Sequence, residues 1–141
     1  MSNNWAKSVL VIYLLATLCI TILLRPENDS FRFNLTPFWS YAAVEKRPYG
    51  GLFVQIILNV ILFVPIGALF CKIFKPCRFW KFLLPGIILS AFIEFMQLVL
   101  KRGLCEIDDV IHNSLGYMIG YGLYYLIGQI KSNHKKTEVH V

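Results

Sequence analysis

Two stretches of this chain place carboxylates and amides inside apolar runs at helical spacing. Ser90, Glu94, Gln97 and Lys101 recur at i, i+4, i+7 and i+11, and Asp109, Asn113, Gly116 and Gly120 repeat that interval. Gln55 and Asn59 form a shorter pair upstream. A carboxyl group in apolar surroundings suits proton transfer, and a convergent set of amides and charges suits ligand binding. Glu94 and Asp109 are therefore the candidates for acid–base work. The wider ligand-binding set is Asn59, Glu94, Gln97, Arg102, Asp108, Asp109 and Asn113, with Arg102 and Lys101 as contacts for an anion.

The same residues have a plainer reading. Asn59, Glu94, Gln97 and Asn113 can serve as hydrogen-bonding glue between helices. Asp109 can favour a helix N-terminus while Arg102 pairs with it at the surface. His112, alone near a helix start, reads as a surface residue. There is no HExxH, GxSxG or paired-histidine spacing, so neither a metal nor a cofactor is expected. Cys19, Cys71, Cys77 and Cys105 form no CxxC pair and read as small apolar fillers.

The elements that must position these residues are apolar helices. The 141 residues are 57% hydrophobic and only 16% charged, against roughly 25% charged in a soluble domain. The chain reads as a single all-α membrane domain, 1–141: a four-transmembrane-helix bundle with one short interfacial helix. The spans are expected at about 8–24, 52–73, 79–100 and 107–130, each close to the 20 or so residues a bilayer needs. Pro65 and Pro85 are expected to kink the second and third. The first span lacks a small-x-small cleavage site and is expected to stay as a helix. Residues 131–141 are read as a polar tail.

The net charge of +6 sits at the ends of the apolar runs, which favours membrane topology over nucleic-acid binding. An even number of crossings puts both termini on one side with the KIFKPCRFWK loop. That side holds eight basic residues against six, at higher density, so both termini are expected in the cytoplasm. In the long outer loop Thr36 is an expected N-cap and Pro37 a first helical residue, giving an interfacial helix from about Pro37 to Arg47. Asn59, Glu94 and Asn113 then fall about 9–10 Å below the same face, on three helices. Gly116 and Gly120 permit close approach of a neighbouring helix. The simplest arrangement is a polar pocket open to the outside.

Taken in order, NLTPF, NVILFVPIG, IEFMQ, Arg102 and DDVIHNSLGYMIG form a longer pattern. Its positions are Asn34, Pro37 and Phe38; Asn59, Pro65 and Gly67; Glu94 and Gln97; then Asp108, Asp109, Asn113, Gly116 and Gly120. This order and spacing resemble the VanZ-like family of small bacterial membrane proteins over nearly the whole chain. The resemblance implies a bacterial cytoplasmic-membrane location and a link to teicoplanin, the antibiotic associated with the family's namesake. Some relatives carry a phosphotransbutyrylase label, but no nucleotide-type loop or soluble domain supports that activity here.

Three functions follow as expectations. The first is a non-catalytic envelope factor whose pocket engages membrane lipids, a lipoglycopeptide or a cell-wall precursor. The second is an intramembrane enzyme acting on a lipid or cell-wall precursor through Glu94 and Asp109. The third is a small transporter or channel subunit, which four helices without an internal repeat make the weakest. Self-association into a homo-oligomer stays open.

Overall fold

A computed structural model describes residues 3–46, 50–74 and 79–139. The chain is mostly helical. α1 (Asn4–Leu18) continues into a π-helical turn (Cys19–Leu23), followed by β1 (Phe33–Asn34) and α2 (Trp39–Lys46). α3 (Gly51–Ile73), α4 (Phe79–Val99), β2 (Cys105–Glu106) and α5 (Ile107–Val139) complete the order. The expected turn at Lys75–Arg78 and the expected end of the loop helix at Arg47 lie outside the described residues.

Among the described residues, three segments are long and apolar enough to cross a membrane: Asn4–Leu23, Gly51–Ile73 and Trp80–Val99. α5 has the length, but its first two turns carry Asp108, Asp109, His112 and Asn113. It also runs on to Val139, well past the end expected near Ile130, because KSNHKKTEV holds no glycine or proline to stop it.

Among the described residues, buried polar and charged side chains outnumber buried apolar ones. Large apolar groups such as Ile12, Leu24, Trp80 and Phe95 face outward. This reverses the pattern of a water-soluble domain and suits an apolar solvent. The apolar core is small: Ile22, Phe63, Ile66, Ile93 and Tyr117.

The main helix contact is a glycine seam between α3 and α5. A Cβ on Gly116 would lie 2.0 Å from the Val60 carbonyl oxygen, and one on Gly120 would lie 1.8 Å from that of Val64. From the other side, a Cβ on Gly67 would meet the Tyr117 carbonyl oxygen at 2.0 Å. Only hydrogen fits at these three positions, so the two backbones touch directly. α1 docks on α3 through Tyr13, whose hydroxyl donates to the Leu62 carbonyl at 3.1 Å, beside the gap that Pro65 leaves in the ladder.

The end of the bundle opposite the N-terminus is closed by chain that sequence periodicity does not reveal. β1 and β2 pair in parallel, Phe33 with Cys105 and Asn34 with Glu106. The Asn28 amide donates to Lys101 O at 2.8 Å and the Gly103 amide to Pro26 O at 3.0 Å. α4 ends in a Schellman turn: the Arg102 amide bonds Gln97 O, the Lys101 amide bonds Leu98 O, and Lys101 takes φ 54°.

Candidate functional site

Glu94, Glu106 and Asp109 meet at this closed end, from α4, β2 and α5, and all three are at least 96% buried. Glu94 Oε2 accepts the Glu106 amide at 2.8 Å, one residue before α5 begins, where the helix dipole favours a negative charge. The side-chain amide of Gln55, on α3, donates to Glu106 Oε2 at 3.2 Å and to Asp109 Oδ2 at 3.3 Å. Arg25, just past the π-turn, places its guanidinium 3.7 Å from Asp109 Oδ2. One turn deeper, the Asn113 amide donates to Ser90 Oγ at 2.9 Å.

Burial first, and then the Asp109 charge, raise the Glu106 carboxyl to about 7. The neighbouring Cys105 thiol is likewise raised, by burial and by the surrounding carboxylates. Asn59 and Trp39 stand as side-chain donors beside Asp109 and Glu106, while Glu106 Oε1 and Asn113 Oδ1 have no donor within hydrogen-bond geometry. Buried acceptors of this kind mark a place where water or a ligand polar group completes the bonding. Among the described residues no group of three His, Cys, Asp or Glu side chains is arranged to hold a metal ion.

The other expected site residues are employed elsewhere. Asp108 points away from the carboxylate cluster and caps α2. Its Oδ1 accepts the Phe38 amide at 2.6 Å, and its Oδ2 accepts the Ser40 amide at 2.9 Å and the Ser40 hydroxyl at 2.5 Å. This corrects the expected cap: Asp108, not Thr36, starts the helix. Phe38 sits at φ 62°, so the helix begins at Trp39 rather than Pro37. The Thr36 amide bonds Asn34 Oδ1 at 3.0 Å instead. His112 is not a surface residue. It is 1% exposed, and its Nε2 lies 3.0 Å from the Tyr41 hydroxyl of α2.

Gln97 and Arg102 anchor the end of the first span. A π-turn leaves its carbonyls without regular partners. Gln97 Nε2 donates to Thr21 O at 2.9 Å, and Arg102 donates to Leu23 O at 2.6 Å and Arg25 O at 3.4 Å. Arg102 also forms an ion pair with Glu27. The surface partner of Arg102 is therefore Glu27, and the cation beside Asp109 is Arg25. By holding this turn, Gln97 and Arg102 set the position of Arg25.

A groove of about 470 Å³ runs between the first span and α3. Arg25, Thr21, Gln55 and Asn59 line its polar part, and Val54, Leu58, Ile61 and Leu62 its apolar part. Glu94, Glu106 and Asp109 stand behind Gln55 and do not line it.

Helical spacing puts Asn59, Glu94 and Asn113 at one level and Asp109 on the same stripe as Asn113, but it gives no sign of Arg25 or Glu106 and leaves Gln55 only as a stripe mate of Asn59. Glu106 carried a signal, lying two residues before Asp108 in CEIDD. Arg25 carried another, as the first charge after the opening apolar run.

The VanZ/LLP1 family model matches residues 10–128. Protein VanZ of Enterococcus faecium is 29% identical to the chain over 145 residues, covering 98% of this chain and 84% of that protein. No solved structure matches the chain.

Proposed function

Because the chain belongs to the VanZ/LLP1 family, we propose that it is an integral protein of the bacterial cytoplasmic membrane with a non-catalytic role at the cell envelope. It crosses the bilayer four times, with α5 as the fourth span and both termini in the cytoplasm. α2 lies in the outer interface, and the end bearing Arg25, Gln55 and Asp109 faces outward. There the polar pocket engages a lipid or glycopeptide and alters susceptibility to teicoplanin-type antibiotics. The observation that carries this reading is the convergence of the half-buried Arg25 and Gln55 on the buried Glu106 and Asp109 at one end of a largely apolar bundle. Ionisable groups are costly at such depth unless they serve a site.

The enzymatic reading has one observation in its favour, the three carboxylates brought together without a full set of partners. Against it, each is held by a fixed donor or ion pair of the protein itself.

The test is complementation of a deletion strain. Asp109→Asn and Glu94→Gln keep shape and remove the titratable proton, and both are expected to abolish the change in teicoplanin susceptibility at normal membrane abundance. Unaltered susceptibility in the deletion strain itself removes the antibiotic link. Orientation is read separately with a cysteine at Glu45, an exposed residue of α2, after replacement of the native cysteines. Labelling of intact cells by an impermeant maleimide is expected, and labelling only after lysis reverses the topology.

A further inference from the structure

We infer that the groove between the first span and α3 seats one anionic phospholipid, its phosphate at Arg25 and the start of α3 and one acyl chain along the α3 face.

The groove is bounded by two helices only and so opens on the flank of the bundle. Its wall residues Val54, Leu58 and Ile61 are each more than half exposed. Such a trough is filled from the side, by molecules dissolved in the bilayer. Along α3 it extends from Gly51 to Leu62, about 16 Å at 1.5 Å per residue. That is close to half of a hydrocarbon core about 30 Å thick. An acyl chain of one leaflet fits this length, and the groove stops where the opposite leaflet begins. The polar residues Arg25 and Gln55 are at the end nearer the loops, where a headgroup sits.

Two independent positive features meet at that end. Arg25 is the cation in the lining, and its contact with Asp109, at 3.7 Å, is too long for a hydrogen bond. The second is the N-terminus of α3. Gly50 provides no side-chain cap, the Phe53 amide bonds the Gly50 carbonyl at 3.2 Å, and a Cβ at Gly51 would meet nothing within 4 Å, so the helix start is uncapped and uncrowded. Asp109 offsets part of this charge from behind, but no carboxylate lines the groove itself. Gln55 Nε2 covers Asp109 Oδ2 and Glu106 Oε2 from the groove side. A phosphate diester therefore meets a guanidinium and an uncapped helix start, while a zwitterionic headgroup would add a cation with no anionic partner in the lining.

The leaflet, the outer one, follows from the topology proposed above; the binding itself does not depend on it. The test is native mass spectrometry of the full chain in detergent, delipidated and titrated with palmitoyl-oleoyl phosphatidylglycerol or phosphatidylcholine. Phosphatidylglycerol is expected to bind about tenfold more tightly. Arg25→Gln is expected to reduce it to the phosphatidylcholine level. Leu58→Trp, which leaves the Arg25–Asp109 pair intact, is expected to weaken phosphatidylglycerol by about tenfold at unchanged helix content. It therefore decides the matter if Arg25→Gln fails to fold. Equal affinity for the two lipids, or unchanged binding in Leu58→Trp, overturns the assignment. So does displacement of phosphatidylglycerol by millimolar inorganic phosphate, which would make the site one for free anions. A functional failure of Asp109→Asn in cells bears on the envelope role alone.

Discussion

Asp108 reaches 68 residues back along the chain to Ser40, accepting hydrogen bonds from both its amide and its hydroxyl. A carboxylate at the start of one helix thereby caps another. The pair of aspartates at Asp108 and Asp109 thus faces two ways: one side chain holds the loop helix and the other enters the carboxylate cluster.

Asp108→Ala leaves the Phe38 and Ser40 amides without acceptors and is expected to destabilise the chain by about 1–3 kcal/mol. Ser40→Ala removes only the hydroxyl bond and is expected to cost about 1 kcal/mol. Denaturant unfolding in detergent micelles checks both. Similar costs for the two variants would contradict the capping role.

The sequence made part of this site legible because helical spacing is a local property. The stripe from Ser90 to Lys101 and the one from Asp109 to Gly120 need nothing beyond 3.6 residues per turn. What stayed hidden depends on distant chain. Asp108 becomes a cap only because residues 26–34 fold back along 101–106, through strands of two residues with no alternation to read. Arg25 becomes the partner of Asp109 only because Gln97 and Arg102 arrest the first span in a π-turn. α5 outruns its expected end near Ile130 for the opposite reason: polarity marks the membrane boundary, but it does not end a helix.

Arg102→Lys is expected to lose the fork that serves Leu23 O and Glu27 together, lowering stability by about 1–2 kcal/mol. Glu27→Gln is the control. Its side chain is 73% exposed, and the surface pair should contribute at most about 0.5 kcal/mol. Unfolding midpoints that fall equally in both variants would place the value of Arg102 in the ion pair and not in the helix end.

Gly116→Ala and Gly120→Ala drive a methyl group into the carbonyls of Val60 and Val64. Because backbone cannot move aside as a side chain can, each is expected to cost at least about 3 kcal/mol and to deplete the protein from membranes. Gly122 and Gly128, whose added Cβ would meet nothing within 4 Å, are expected to accept alanine without loss. Quantitative blotting of membrane fractions separates the two pairs.

Stability should decline between about pH 4.5 and pH 7. The folded chain holds the Glu106 proton up to about 7, whereas the unfolded chain releases it near 4.5. With more protons bound in the folded state over that window, stability is full below about 4.5 and is lost as the pH rises through 7. Glu106→Gln is expected to flatten the slope of unfolding free energy against pH. An unchanged slope would assign the dependence to another group.

The glycine seam also sets a timetable for synthesis. Val60, Val64 and Gly67 leave the ribosome before Gly116 and Gly120, by roughly 50 residues. At about 5–20 residues per second, α3 waits on the order of 3–10 s with its docking face against lipid. Insertion of the earlier spans and closure of the bundle are therefore separate events, and the second belongs to the last helix made.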